Sequence, residues 1–330
     1  MRGLVLEGGC VVHRDDLPRP DRVAETRVRV LRAGICSTDL ALLGGYMGFR
    51  GTPGHEFVGE ALDGPLAGER VVGEINAACG ACEFCLAGLG RHCPSRTVLG
   101  ILGRAGAFAE ELSLPEANLH RVPDAISTDA AVFVEPLAAA FEIAEQVPLE
   151  PGCAALVAGD GKIGLLCAWV LHLAGLRVTV AGRHDGRRRL LPEGVEHATG
   201  LLEEDVAWHE AGDRARFDLA VEATGRPECL GRVIRLVRPR GTIVLKTTSE
   251  RATAIDLSPA VVHELTLLGS RCGRFEPALD ALARGAVPVE SFVEASYPLA
   301  GGADAFARAA SPGTLKVLLD PVLPWPPATG

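Results

Sequence analysis

Residues 153–175, CAALVAGDGKIGLLCAWVLHLAG, pass from an apolar strand-like stretch through a glycine turn into an apolar helix-like stretch. Gly159, Gly161 and Gly164 hold the G-x-G-x-x-G spacing within that passage, with Lys162 and Ile163 inside the turn. The first glycine permits the tight turn, and the second lets backbone approach a pyrophosphate. The third lets the helix pack close on the strand, so that helix-end amides face phosphate. A strand, turn and helix in this order predict a doubly wound parallel α/β sheet that binds a dinucleotide. The same texture returns in FDLAVEATG and GTIVLK, so residues 146–271 read as one domain, a parallel sheet covered by helices.

The flanking segments have a different texture. Length alone, 330 residues, suggests about two domains. Residues 1–145 are rich in glycine punctuation and Val-containing runs, among them RVRVLRAG and RVVGEIN, and predict an irregular β-rich domain. Residues 272–330 carry two short helical patterns, PALDALARG and ADAFARAA, and a final strand, TLKVLLD, that returns to complete the first domain. The tail PVLPWPPATG is too proline-rich for a helix or a central strand and predicts an extended surface segment.

Charge narrows the partners. With 42 acidic against 33 basic residues the chain carries a formal charge of −9, which argues against nucleic acid and anionic membranes. The longest strongly apolar stretch, residues 165–175, is interrupted by His172 and falls well short of the roughly 20 residues of a membrane span. MRGLVLEGG lacks the apolar length of a secretory signal, so the expected location is the cytoplasm. There, ten cysteines bind metal or react more readily than they pair.

Four of them share one loop. CGACEFCLAGLGRHC sets Cys79, Cys82, Cys85 and Cys93 within the lobe 76–96, a donor set suited to a closed, tetrahedral structural zinc site. A second set is dispersed: Cys36 in GICSTD, His55 and Glu56 in PGHEFVG, and Glu135 in FVEPLAAA. Sulfur, imidazole and carboxylate together are the donors of an open, catalytic zinc site. The strand RVTVAG after the glycine turn ends in Gly182, Arg183 and His184, with Arg187–Arg189 close behind. An acid there would suit the adenosine ribose of NAD. Its absence, with arginine instead, favours the 2′-phosphate of NADP.

The ordered set GICSTD, GHEFVG, the four-cysteine lobe, EPLAAA and GDGKIG resembles the zinc-dependent medium-chain alcohol and polyol dehydrogenases. Within them it looks closest to the branch around sorbitol, threonine and glucose dehydrogenases and to the dehydrogenases of aminocyclitol biosynthesis. The resemblance implies a GroES-like catalytic domain interrupted by the Rossmann domain. It implies zinc bound by Cys36 and His55 with Glu56 or Glu135 as third ligand, His55 oriented by Asp39, and the substrate hydroxyl met by Thr38. It also places Ala223, Thr224, Thr247 and Arg271 beside the cofactor.

The implied activity is hydride transfer between a secondary alcohol of a polyol, sugar or cyclitol, or the matching ketone, and NAD(P). Many relatives carry a relay histidine soon after the Thr38 position, where this chain reads Asp39, Leu40 and Ala41. That departure keeps a cofactor-binding sensor without turnover in view, beside a second alternative, nonredox lyase or epimerase chemistry on the same scaffold with a retained cofactor. Relatives assemble as dimers or tetramers through the Rossmann sheet, and the apolar run TIVLK suits such an edge. Because the two donor sets are separate, elemental analysis should return two zinc ions per chain, and a count of one or none would remove a site.

Overall fold

A six-stranded sheet forms around the glycine turn. In the structure, a computed structural model that describes residues 1–203, 216–248 and 252–323, its strands lie in the order Glu196–Thr199, Arg177–Gly182, Ala154–Ala158, Phe217–Glu222, Val237–Leu245 and Thr266–Gly269. All neighbours are parallel. From Ala154–Ala158 the chain builds outward to one side and then crosses to the other, so the glycine turn leaves the sheet at its switch point. Leu156, Ala158, Ala220 and Ile243 pack with Val233 and Ile234 of the helix Leu230–Leu236 in a continuous core. Cover on both faces explains why these strands are apolar throughout rather than alternating.

The chain divides into two compact units, one formed by Met1–Glu135 with the segment from Phe275, the other by Pro136–Arg274. The seven-stranded sheet of the first unit runs Leu119–Arg121, Arg70–Gly73, Glu56–Ala61, Thr26–Gly34, Lys316–Asp320 and Val293–Pro298, with Glu111–Leu114 also paired to Thr26–Gly34. Thr26–Gly34 alternates as a strand with one covered face should: Val28 and Val30 are buried while Arg29 points outward. Lys316–Asp320 lies antiparallel to it, with Leu318 opposite Gly34 and Leu319 opposite Ala33, so the end of the chain is built into the sheet that its beginning starts. Phe133 and Phe292 meet edge to face beneath it, their ring centroids 6.1 Å apart.

The run Thr242–Lys246 does not form an edge. Val237–Leu245 is an interior strand, with Ile243 paired to Ala220 on one side and to Leu267 on the other. An unbroken apolar run marks a strand covered on both faces, and the edge falls to the more exposed strand Thr266–Gly269. No described helix is long and apolar enough to cross a membrane. Of the proline-rich tail, residues from Pro324 onward lie outside the described residues.

Gly164 sits in the first turn of the helix Lys162–Leu173, where an added Cβ would fall 2.0 Å from the carbonyl oxygen of Gly159. Backbone is on both sides of that contact and neither can yield cheaply. Gly164→Ala should therefore destabilise the protein by about 1–3 kcal/mol, read as a lower urea midpoint.

Candidate functional site

Cys36 caps the short helix Ser37–Leu43 at the point where the strand Thr26–Gly34 ends. Asp39, third in that helix, folds back so that its Oδ2 accepts the backbone N–H of Cys36 at 2.8 Å, the reciprocal arm of a capping box. Its Oδ1 accepts the N–H of Gly54 at 3.1 Å and lies 3.4 Å from Nδ1 of His55. One fully buried carboxylate thus ties the Cys36 loop to the His55 loop. Glu56, the next residue, opens the strand Glu56–Ala61 and is itself fully buried.

The ligand atoms of Cys36, His55 and Glu56 all lie within 4.8 Å of one another. Burial presses the His55 pKa down, but the Asp39 carboxylate, helped by Cys36, carries it well above the ordinary histidine value. The pocket therefore attracts positive charge, and thiolate, imidazole and carboxylate are the donors an open zinc site uses. Glu135, in the first turn of the helix Val134–Gln146, is not among the three groups brought to within that distance. Thr38 stands beside the set, its Oγ1 3.8 Å from the Cys36 sulfur.

Lys316 was not legible as part of this site. Its Nζ donates to Oε2 of Glu56, both side chains are fully buried, and the ammonium lies 5.3 Å from the Phe133 ring centroid. Burial pushes the lysine down to about 8, with Cys36 and Asp39 pulling it back up. The available signal was a lysine opening the apolar run VLL of the strand Lys316–Asp320.

The second sulfur set is compact. Cys82 and Cys85 are 3.5 Å apart at sulfur, Cys82 and Cys93 3.7 Å, and Cys79 and Cys85 3.9 Å. Four ligands at about 2.3 Å from a tetrahedral ion sit about 3.8 Å from each other, so these separations match a zinc tetrathiolate. Backbone N–H groups of Ala81 and Cys82 pull the Cys79 thiol down to about 6, which favours the thiolate a metal binds.

In the other unit, Gly159 adopts φ +113° and an added Cβ would come 2.6 Å from the Ala223 carbonyl oxygen, while Gly161 faces open space and caps the helix Lys162–Leu173. The helix-end amides are thereby free of side-chain cover, as phosphate binding needs. Ala223 and Thr224 follow the strand Phe217–Glu222, and Thr247 follows Val237–Leu245, its Oγ1 accepting the N–H of Gly225 at 3.0 Å. Lys246 is a strut: its Nζ donates to the Ala139 carbonyl and to Ser270 Oγ. Arg271 is exposed just beyond Thr266–Gly269. Arg183 and His184 follow the strand Arg177–Gly182 and are exposed, but the strand end is not without an acid. Asp160, inside the glycine turn, reaches it: Oδ2 accepts the N–H groups of Arg183 and His184.

Lys316→Met would leave Glu56 a buried charge without its cation and should cost about 3–5 kcal/mol in urea unfolding. Adding Glu56→Gln to that variant should restore most of the loss. A double variant as unstable as the single one would mean that the pair contributes through packing alone.

The family model described as an alcohol dehydrogenase GroES-like domain matches residues 22–124, and that of the zinc-binding dehydrogenases matches residues 163–284. The chain is 34% identical to the L-threonine 3-dehydrogenase of Streptomyces coelicolor, over 92% of this chain and 94% of the other. Among solved structures, a proposed zinc-binding dehydrogenase from Sinorhizobium meliloti 1021 bound to NADP superposes with a TM-score of 0.84 at 28% identity, over 97% of this chain and 99% of that one. An alcohol dehydrogenase from Escherichia coli CFT073 complexed with NADH superposes with a TM-score of 0.85 at 26% identity, over the same shares, 97% and 99%.

Proposed function

The chain belongs to the zinc-binding alcohol and polyol dehydrogenases, and from that premise we propose that it oxidises a secondary alcohol of a polyol, sugar or cyclitol, reversibly, with NADP preferred over NAD. The observation that carries the reading is the convergence of Cys36, His55 and Glu56 within 4.8 Å, oriented by Asp39, in a chain that also presents an uncovered helix N-terminus at a glycine turn. Cys36, His55 and Glu56 would hold the catalytic zinc, and Cys79, Cys82, Cys85 and Cys93 the structural one. When bound, the catalytic ion supplies Lewis acidity toward the alcohol oxygen and the nicotinamide accepts the hydride.

The protein's own groups do the rest. Asp39 fixes the His55 ring from behind and keeps the Cys36 loop in register with it. Thr38 would relay the proton of the substrate hydroxyl outward, its Oγ1 accepting that proton as its own hydrogen passes to solvent. Lys316 balances Glu56, so that acid is held in place whether or not an ion is bound. Gly159, Gly161, Lys162, Ile163 and Gly164 receive the pyrophosphate, and Arg183 and His184 meet the adenosine end. The NADP preference rests on those two residues and on Arg187–Arg189 behind them. That none of the ten cysteines is paired in a disulfide suits the reducing cytoplasm. Thr266–Gly269, a sheet edge near the exposed Val261 and Val262, supports a homodimer or homotetramer.

Near-ultraviolet absorbance of reduced nicotinamide tests the proposal directly. NADP and NAD are each crossed with sugars, linear polyols, cyclitols, amino-alcohols and simple alcohols. Net reduction with one class establishes the reaction, whereas product without net reduction would replace it with nonredox chemistry on the same scaffold. Cys36→Ser should abolish turnover and leave the protein folded by circular dichroism. A variant that kept its rate would take Cys36 out of the mechanism.

A further inference from the structure

Gly182 ends its strand with no side chain, and Asp160 fills the space. A Cβ built on Gly182 would fall 2.5 Å from the Cβ of Asp160, 2.4 Å from its Cγ and 2.3 Å from its Oδ2. The carboxylate thus stands where a side chain at position 182 would stand, delivered from the glycine turn instead of from the strand. It is firmly held: Oδ2 accepts the N–H of Arg183 at 2.9 Å and that of His184 at 2.8 Å, and Oδ1 lies 2.9 Å from Nδ1 of His184. Nε2 of His197 approaches Oδ2 at 3.5 Å from the next strand. Asp160 is only 5% exposed, and although burial raises its pKa, the His184 ring and the strand-end amides outweigh that and hold it below the usual carboxylate value.

In a doubly wound sheet the end of this second strand faces the adenosine ribose, where a carboxylate favours a free 2′-hydroxyl and repels a 2′-phosphate. A carboxylate offers about four acceptor sites, and the contacts above leave Oδ1 with one to spare. Arg183 and Arg187–Arg189 bring the opposite charge to the same strand end. We propose that Asp160 takes the part of the missing strand-end acid and is the residue that sets how strongly this chain discriminates between NADP and NAD. The arginines attract the 2′-phosphate and Asp160 limits that attraction, keeping NAD usable. The inference rests on the reading of this turn as a nicotinamide dinucleotide site.

Binding of ADP-ribose and of 2′-phospho-ADP-ribose, measured by calorimetry without turnover, tests it in the wild type, Asp160→Asn and Asp160→Ala. Neutralising the carboxylate in Asp160→Asn should shift the ratio of the two dissociation constants about tenfold, or about 1.4 kcal/mol, toward the phosphorylated ligand. Asp160→Ala should shift it the same way, chiefly by weakening ADP-ribose. Ratios within twofold of wild type in both variants, or a shift toward ADP-ribose, would overturn the proposal and leave Asp160 as a support for the Arg183–His184 turn. Failure of both variants to fold would do the same. The wild-type ratio is a separate result: tighter binding of ADP-ribose would refute the NADP preference while leaving the predicted direction of shift intact, and binding of neither ligand would refute the dinucleotide reading and this inference together.

Discussion

A carboxylate with no exposure must have its acceptor sites filled from within the protein, and Asp39 meets that condition with backbone from two separate loops. The consequence reaches well beyond one residue. Because Cys36 and Gly54 donate to the same side chain, the loop that carries the thiol and the loop that carries the imidazole cannot drift apart without stranding a buried charge. Glu56 imposes the same demand and meets it at Oε2 through Lys316. With Cys36 as thiolate and His55 neutral, the forms in which each binds metal, the cluster holds three anions, Cys36, Asp39 and Glu56, and one cation, Lys316, and a single divalent ion brings it to neutrality. The donor types and the charge balance therefore point to the same class of occupant.

What was legible in the sequence was local. The glycine turn and the four-cysteine lobe each lie within one short stretch, so spacing alone conveys their geometry. Cys36, His55 and Glu56 were legible as donors, but only the fold shows Glu56, and not Glu135, drawn in beside the other two. Lys316 and Asp160 act across 260 and 24 residues respectively, on partners that no spacing rule connects. The strand end at Gly182 looked bare because its acid is encoded in a different element. Thr242–Lys246 was misleading for a simpler reason: an apolar run marks a strand as covered, not as terminal.

On the proposed reading, the two sulfur sites divide stability from chemistry. In the lobe all four donors are thiols, spaced for one tetrahedral ion, which leaves no position for substrate. At Cys36 only one donor is sulfur; the imidazole comes from the loop that Asp39 ties to Cys36 and the carboxylate from the first residue of the strand Glu56–Ala61, and a mixed set of three donors is the kind that keeps a position for a further ligand.

The strand Lys316–Asp320 has a consequence for the way the chain is made. It supplies the neighbour of Ala33 and Gly34, residues synthesised almost three hundred positions earlier. On a ribosome the first unit emerges with that part of its sheet unclosed and with Glu56 lacking its cation, and it stays so while the whole Pro136–Arg274 unit is made. The described strands of the inserted unit follow one another within its own span, so it can close first. The first unit then waits as an incomplete sheet with an open hydrogen-bonding edge, the surface on which a nascent chain is most prone to pair with the wrong partner. A chain shortened by its last strand would be fixed in that state.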